Sequence, residues 1–156
     1  MALATLTEHT LFRTGYLVNG EWHSLSETFD VLNPATGEVI AKVAKAGKQE
    51  TQAAIEAAAR AFPGWRAKTA KARSEILHRW YRLIIDNKGW LAQLMTAEQG
   101  KPLKEAAGEV EYAASFIQWF AEQAKRANGE IIPPAQNGTR ILATREPVGG
   151  ISRWQC

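Results

Sequence analysis

Gly100-Lys101 carries the two residues that close a phosphate-binding loop. That loop surrounds phosphate with backbone N–H groups, and it needs an earlier glycine at fixed spacing and a metal-binding hydroxyl after the lysine. Those positions hold Met95 and Pro102, so the phosphate-loop reading is rejected. No G-x-G-x-x-G occurs, and Gly149-Gly150 stands alone. His9, His23 and His78 are scattered, with no cysteine at a metal-ligand spacing from any of them. His78 falls beside the apolar side of a helical segment, where nothing nearby in sequence orients it as a base. Glu98, Glu105, Glu109 and Glu111 surround Gly100, and Glu105 and Glu109 are one helical turn apart. Paired carboxylates can do acid–base work. The same spacing describes a solvated helix face with negative charge near its N-terminus, and that reading is preferred. Cys156 is the sole thiol. A reactive thiolate needs a helix N-terminus, a base or an enclosed pocket, and Arg153-Trp154-Gln155 provides none of these, so Cys156 reads as a terminal thiol. The residues by themselves therefore nominate no catalytic and no cofactor-binding side chain.

The elements that would position these groups are legible in outline. Tyr16-Leu17-Val18, Asn19-Gly20 and Glu21-Trp22 predict a hairpin, because Asn-Gly favours a tight two-residue turn. Thr28 to Leu32 and Glu38 to Ala44 predict strands around the turn Asn33-Pro34-Ala35-Thr36-Gly37. From about Lys48 the apolar period lengthens to that of a helix. Ala54, Ile55, Ala58, Ala59 and Phe62 predict the buried stripe of a first helix that Pro63-Gly64 ends. Ile76, Leu77, Trp80, Leu83 and Ile84 predict the stripe of a second, broken at Asn87 to Gly89. Trp90 to Gln99 predicts a third, ended by Gly100. Leu103 to Ala127 follows Pro102 as the fourth, with Val110, Ala113, Ile117, Phe120 and Ala124 facing inward. Pro133-Pro134 opens an extended linker, and Thr139 to Glu146 predicts a last, exposed strand. With few strands and one of them distant, the sheet is under-supplied. The pattern suggests a piece of something larger, or an oligomer subunit.

Composition bounds the function class. The 19 basic and 16 acidic residues are dispersed, which excludes the basic stripe of a nucleic-acid binder. No apolar run approaches the about 20 residues of a membrane span. Met1 to Thr10 lacks the pattern of a secretory signal, and one cysteine fits a reducing compartment, so a cytoplasmic location is expected. The six tryptophans read as core filling and inter-element packing.

The wording of several segments is more specific than any of these patterns. Asn19 to Trp22, Asn33 to Val43, Arg73 to Leu77, Glu98 to Glu105, Gly108 to Ala114, Gly129 to Pro133 and Arg145 to Gly149 together resemble the N-terminal part of NAD(P)-dependent aldehyde dehydrogenases. Met95 to Leu103 and Tyr112 to Glu122 narrow the likeness to the succinate-semialdehyde dehydrogenase type. The resemblance covers roughly Leu11 to Gly149.

The resemblance implies an α/β fold. The chain would be the N-terminal part of a cofactor-binding domain: an edge β-hairpin and strands, four helices and the first strand of the oligomerisation arm, incomplete as a domain. It implies residues 1–10 as a flexible N-terminus, 11–138 as the partial cofactor-binding domain, 139–149 as the start of the oligomerisation strand and 150–156 as an aberrant tail. In the family a Cys thiolate attacks the aldehyde, hydride passes to NAD or NADP, and a Glu-activated water releases the acid. An Asn amide and the Cys backbone N–H form the oxyanion hole. These groups would lie downstream of Val148-Gly149, so the chain is expected to be inactive alone and to bind neither cofactor tightly. The departure from the family wording at Gly150 reads as a truncated or frameshifted end. The implied partners are a small aldehyde, in 4-aminobutyrate breakdown, and further copies joined through 139–149, with no nucleic acid and no membrane. One of Glu109 and Glu111 would line a monovalent-cation site. Two rival readings are a non-catalytic module that pairs with full-length subunits through its exposed strand, and a chain that does not fold stably.

Overall fold

The computed structural model describes residues 6–149. Its first strands are β1 (Tyr16–Val18) and β2 (Glu21–His23), antiparallel, with Leu17 opposite Trp22. Asn19 and Gly20 both adopt positive φ, 54° and 82°, the pair of values that lets a two-residue turn follow strand twist. β3 (Thr28–Leu32) and β4 (Val39–Ala44) form a second antiparallel ribbon with an irregularity between Val31 and Leu32. Asn33 Oδ1 accepts from the Ala35 N–H at 2.9 Å and shapes the turn between them. The Ala44 N–H donates to Thr14 O at 2.8 Å, tying the second ribbon to the segment before the first.

Four helices follow. α1 (Lys48–Arg66) opens at Gly47, whose N–H donates to Glu50 Oε2 at 2.7 Å. The Glu50 and Gly47 backbone N–H groups hold that carboxyl below its usual range. α2 (Ala70–Asp86) is capped by Thr69, whose Oγ1 accepts from the Ala72 N–H at 3.2 Å. α3 (Lys88–Gln99) ends at Gly100, and α4 (Leu103–Gln123) continues into a 3-10 turn at Ala124–Arg126. α2 and α3 both pack on α4, while α1 touches β1. A last antiparallel ribbon joins β5 (Glu130–Ile132) to β6 (Ile141–Ala143).

Small side chains make the helix core. Ala92, Ala106, Val110, Ala114 and Ala121 are buried with Ser74, which lets the helix backbones approach closely. This differs from the sequence expectation in register. On α4, Ala114 is buried and its neighbour Ala113 is exposed; Phe120 is exposed as well. On α2, Trp80 is 55% exposed and Leu83 is 61% exposed, although both were expected to face inward. On α1, Ala57 is buried while Ile55 and Ala59 are exposed. These helices are apolar on more than one side, so periodicity alone does not say which side meets a neighbour. The tryptophans follow suit: Trp22, Trp65, Trp80 and Trp119 are all exposed rather than core-filling.

Several boundaries also differ, and α4 ends at Gln123 before the 3-10 turn, short of Ala127. α1 runs through Pro63-Gly64 to Arg66. Proline there removes one hydrogen bond within the last turns, and the Ala67 N–H still bonds Pro63 O at 3.0 Å. α3 begins at Lys88 because Asn87 both ends α2 and starts α3. The strand expected over Thr139 to Glu146 shortens to Ile141–Ala143 and is not unpartnered: β5, which the sequence did not reveal, pairs along one edge. Pro133-Pro134 thus begins the loop of a hairpin, not a linker. From Leu6 onward, the segment expected to be flexible is held against α3: Leu6 is buried and its carbonyl accepts from Trp90 Nε1 at 3.3 Å. His9 stacks on the Trp90 ring at 4.3 Å.

Gly100 has φ 73°, and its N–H bonds Thr96 O at 2.8 Å, the left-handed cap that stops α3 and redirects the chain into α4. A β-carbon there would also sit 3.0 Å from Pro34 Cγ. Gly100→Ala is therefore expected to cost about 1–2 kcal/mol in urea unfolding, combining left-handed strain with that contact. An unchanged midpoint would show that the turn relaxes freely.

Candidate functional site

The acidic residues singled out from the sequence gather around the turn between α3 and α4. Lys101 Nζ pairs with Glu109 Oε2, folding the turn back onto the second helical turn of α4. Lys88 Nζ, at the start of α3, pairs with Glu111 Oε1 at 2.5 Å and pins α3 to α4. Two residues apart on a helix means a rotation of about 200°, so these carboxylates diverge. Glu105, one turn before Glu109, lies exposed on the first turn of α4. Glu98, near the end of α3, has its carboxyl raised above the usual range because its surroundings desolvate the charged form.

The fit to a monovalent cation is therefore poor as the side chains stand. Lysine already supplies a positive charge to each carboxylate, and among the described residues no three His, Cys, Asp or Glu converge on one point. The histidines are equally dispersed. His9 lies on Trp90, His23 stacks with Tyr16 at 5.3 Å, and half-buried His78 borders a shallow recess with Glu75, Arg79 and Arg82. Cys156, Gly150 and the rest of the segment 150–156 lie outside the described residues.

An aromatic face on α4 escaped the sequence reading. Tyr112, Phe116, Trp119 and Phe120 are exposed around a recess of about 600 Å³, with Tyr112 and Phe116 edge-to-face at 4.8 Å. Their spacing in Tyr112-Ala113-Ala114-Ser115-Phe116-Ile117-Gln118-Trp119-Phe120 was available as a signal. Helical period alone puts Ala113 and Phe120 on one inward stripe, which hides this face. The last ribbon is similar: Ile131 is 83% exposed and Leu142 is 70% exposed. Four helices and short ribbons that leave this much apolar surface open define an α/β assembly with no larger sheet for its helices to cover among the described residues.

That architecture and the motifs around Gly100 belong to one class. The family model described as the aldehyde dehydrogenase family matches residues 22–153, so the chain belongs to the aldehyde dehydrogenase family. It is 54% identical over 146 residues to a glutarate-semialdehyde dehydrogenase of Pseudomonas putida, covering 92% of this chain and 30% of that protein. It is 51% identical over 146 residues, with the same coverage, to the NADP(+) succinate-semialdehyde dehydrogenase GabD of Escherichia coli. The crystal structure of succinate-semialdehyde dehydrogenase from Burkholderia pseudomallei superposes with a TM-score of 0.84 at 50% identity, over 88% of this chain and 29% of that one. The chain thus spans about 30% of the length of the curated relatives it matches. No helix among the described residues is long and apolar enough to cross a membrane.

Proposed function

We propose that the chain is the N-terminal segment of an NAD(P)-dependent semialdehyde dehydrogenase, acting in the whole enzyme on succinate semialdehyde. The observation that carries this is sequence identity of 51% to the E. coli NADP(+) enzyme across 92% of the chain. In this reading residues 11–138 are part of the cofactor-binding domain, and 139–149 begin the strand that joins subunits. The exposed faces of α2 and α4 are then surfaces that the remaining length of such an enzyme covers. Glutarate semialdehyde is the second substrate, favoured by 54% identity to the P. putida enzyme. The location that goes with this reading is the cytoplasm. Reading the source DNA onward from codon 156 tests the proposal. An open frame into Pro-Trp-Asn-Phe-Pro and a later Gly-Gln-x-Cys supports it; a frame without them counts against it.

A second reading is a non-catalytic module, favoured by the exposed β5–β6 ribbon. Its strand edge would pair with intact subunits by strand addition. Failure of the tagged chain to retain a full-length relative in a pull-down removes that reading.

The monovalent-cation role of Glu109 or Glu111 belongs to the first reading and requires the ion to displace Lys101 or Lys88. Potassium chloride is then expected to raise the melting temperature above that in tetramethylammonium chloride at equal ionic strength. The gain should vanish in either Glu109→Gln or Glu111→Gln, but not in both. Equal melting temperatures in the two salts would leave both carboxylates as lysine partners alone.

A further inference from the structure

We propose that a recess formed by the end of α1, the first turns of α2 and the segment after β6 binds a phosphate-class oxyanion. The recess measures about 500 Å³ and its lining includes Trp65, Arg66, Arg73, Arg145 and Glu146. Three guanidiniums from three separate segments thus line one recess with a single carboxylate, which pairs with Arg66 alone and leaves two positive charges unmatched. Arg73 Nη1 donates to Lys68 O, and Arg145 Nε donates to Asn128 O at 3.0 Å. A backbone carbonyl holds each side chain, and neither forms an ion pair among the described residues. The first turn of α2 has no acidic residue to offset them.

Glu146 shows what such a lining accepts. Its Oε2 lies 3.3 Å from Arg66 Nη2, although the two side chains are 69% and 54% exposed. An exposed pair of this kind is weak, so a dissolved anion can compete with it. Guanidinium forks match oxyanions by paired N–H donation, and a concave surface of one sign concentrates counter-ions. Donors carried by three separate segments suit a tetrahedral anion better than a planar carboxylate, which presents its two oxygens on one edge.

The test follows the arginine Nε–Hε signals of the ¹⁵N-labelled 156-residue chain by NMR. Sodium phosphate is titrated at an ionic strength held constant with sodium chloride. Saturable shifts confined to Arg66, Arg73 and Arg145 are expected, with Arg79 and Arg82 unmoved. Arg145→Gln is expected to weaken phosphate binding about tenfold, the loss of one charged hydrogen-bonding partner. Glu146→Gln removes only an exposed pair, so folding is retained, and it is expected to strengthen binding a few-fold by removing the internal competitor. Shifts shared equally by Arg79 and Arg82, shifts no larger than with chloride alone, or unchanged affinity in Glu146→Gln would each overturn the proposal.

Discussion

Given succinate semialdehyde and either NAD+ or NADP+, the purified chain is expected to reduce no nicotinamide above the protein-free rate. The chemistry of the family requires a thiolate in an activating environment and a cradle that holds the cofactor against the substrate. The chain has one cysteine, Cys156, which matches nothing in the family's nucleophile segment. Of the four carboxylates near the α3–α4 turn, Glu109 and Glu111 are paired with Lys101 and Lys88. Among the described residues no glycine-rich turn opens a helix for a dinucleotide phosphate. On the reading that nucleophile and cofactor cradle lie outside this segment, an acceleration on the order of a millionfold or more is forgone, so the expected signal is background. Nicotinamide absorbance growing in proportion to protein, and abolished by Cys156→Ser, would sink this prediction and make the terminal thiol the nucleophile.

The second large effect separates two neighbouring alanines. Ala114→Leu is expected to destabilise the chain by about 1–3 kcal/mol, because three extra heavy atoms must enter the closed contact of α4 with α2 and α3. Ala114 is 0% exposed there, so no open side remains for the new atoms. Ala113→Leu, on the exposed side of the same helix, is expected to stay within about 0.5 kcal/mol. Urea unfolding of both variants measures the difference directly. The reverse order would mean that Ala113 faces the core, as the helical period of the sequence suggested, and that α4 is rotated from its position in this structure.

This pair of residues also marks how far the sequence could be read. Turn chemistry was fully local and therefore legible. Asn19-Gly20 could close a two-residue hairpin because both residues tolerate positive φ. Gly100 followed by Pro102 could end one helix and open the next for equally local reasons. Helical period located α1 to α4, and the motif wording located the family. The buried sides of α2 and α4 were legible only in part: Val110 is buried as its spacing suggested, while most of the contact is made elsewhere. Each carries large apolar residues on one side and small ones on another, and the small ones form the contact: Ser74 on α2, and Ala106, Ala114 and Ala121 on α4.

What the sequence determined by itself is thus the set of elements, their breaks and the family to which they belong, because caps, turns and period act within a few residues along the chain. Only the tertiary structure decided which faces those elements bury and which charges they bring together. Close helix packing selects alanine and serine over Trp80 and Phe120, a choice that depends on neighbours distant in sequence. β5 became a strand only by pairing with β6, across a loop of prolines that reads locally as a linker. The arginine recess has the same origin: Arg66, Arg73 and Arg145 line it because α1, α2 and the segment after β6 converge, a proximity that no local spacing encodes.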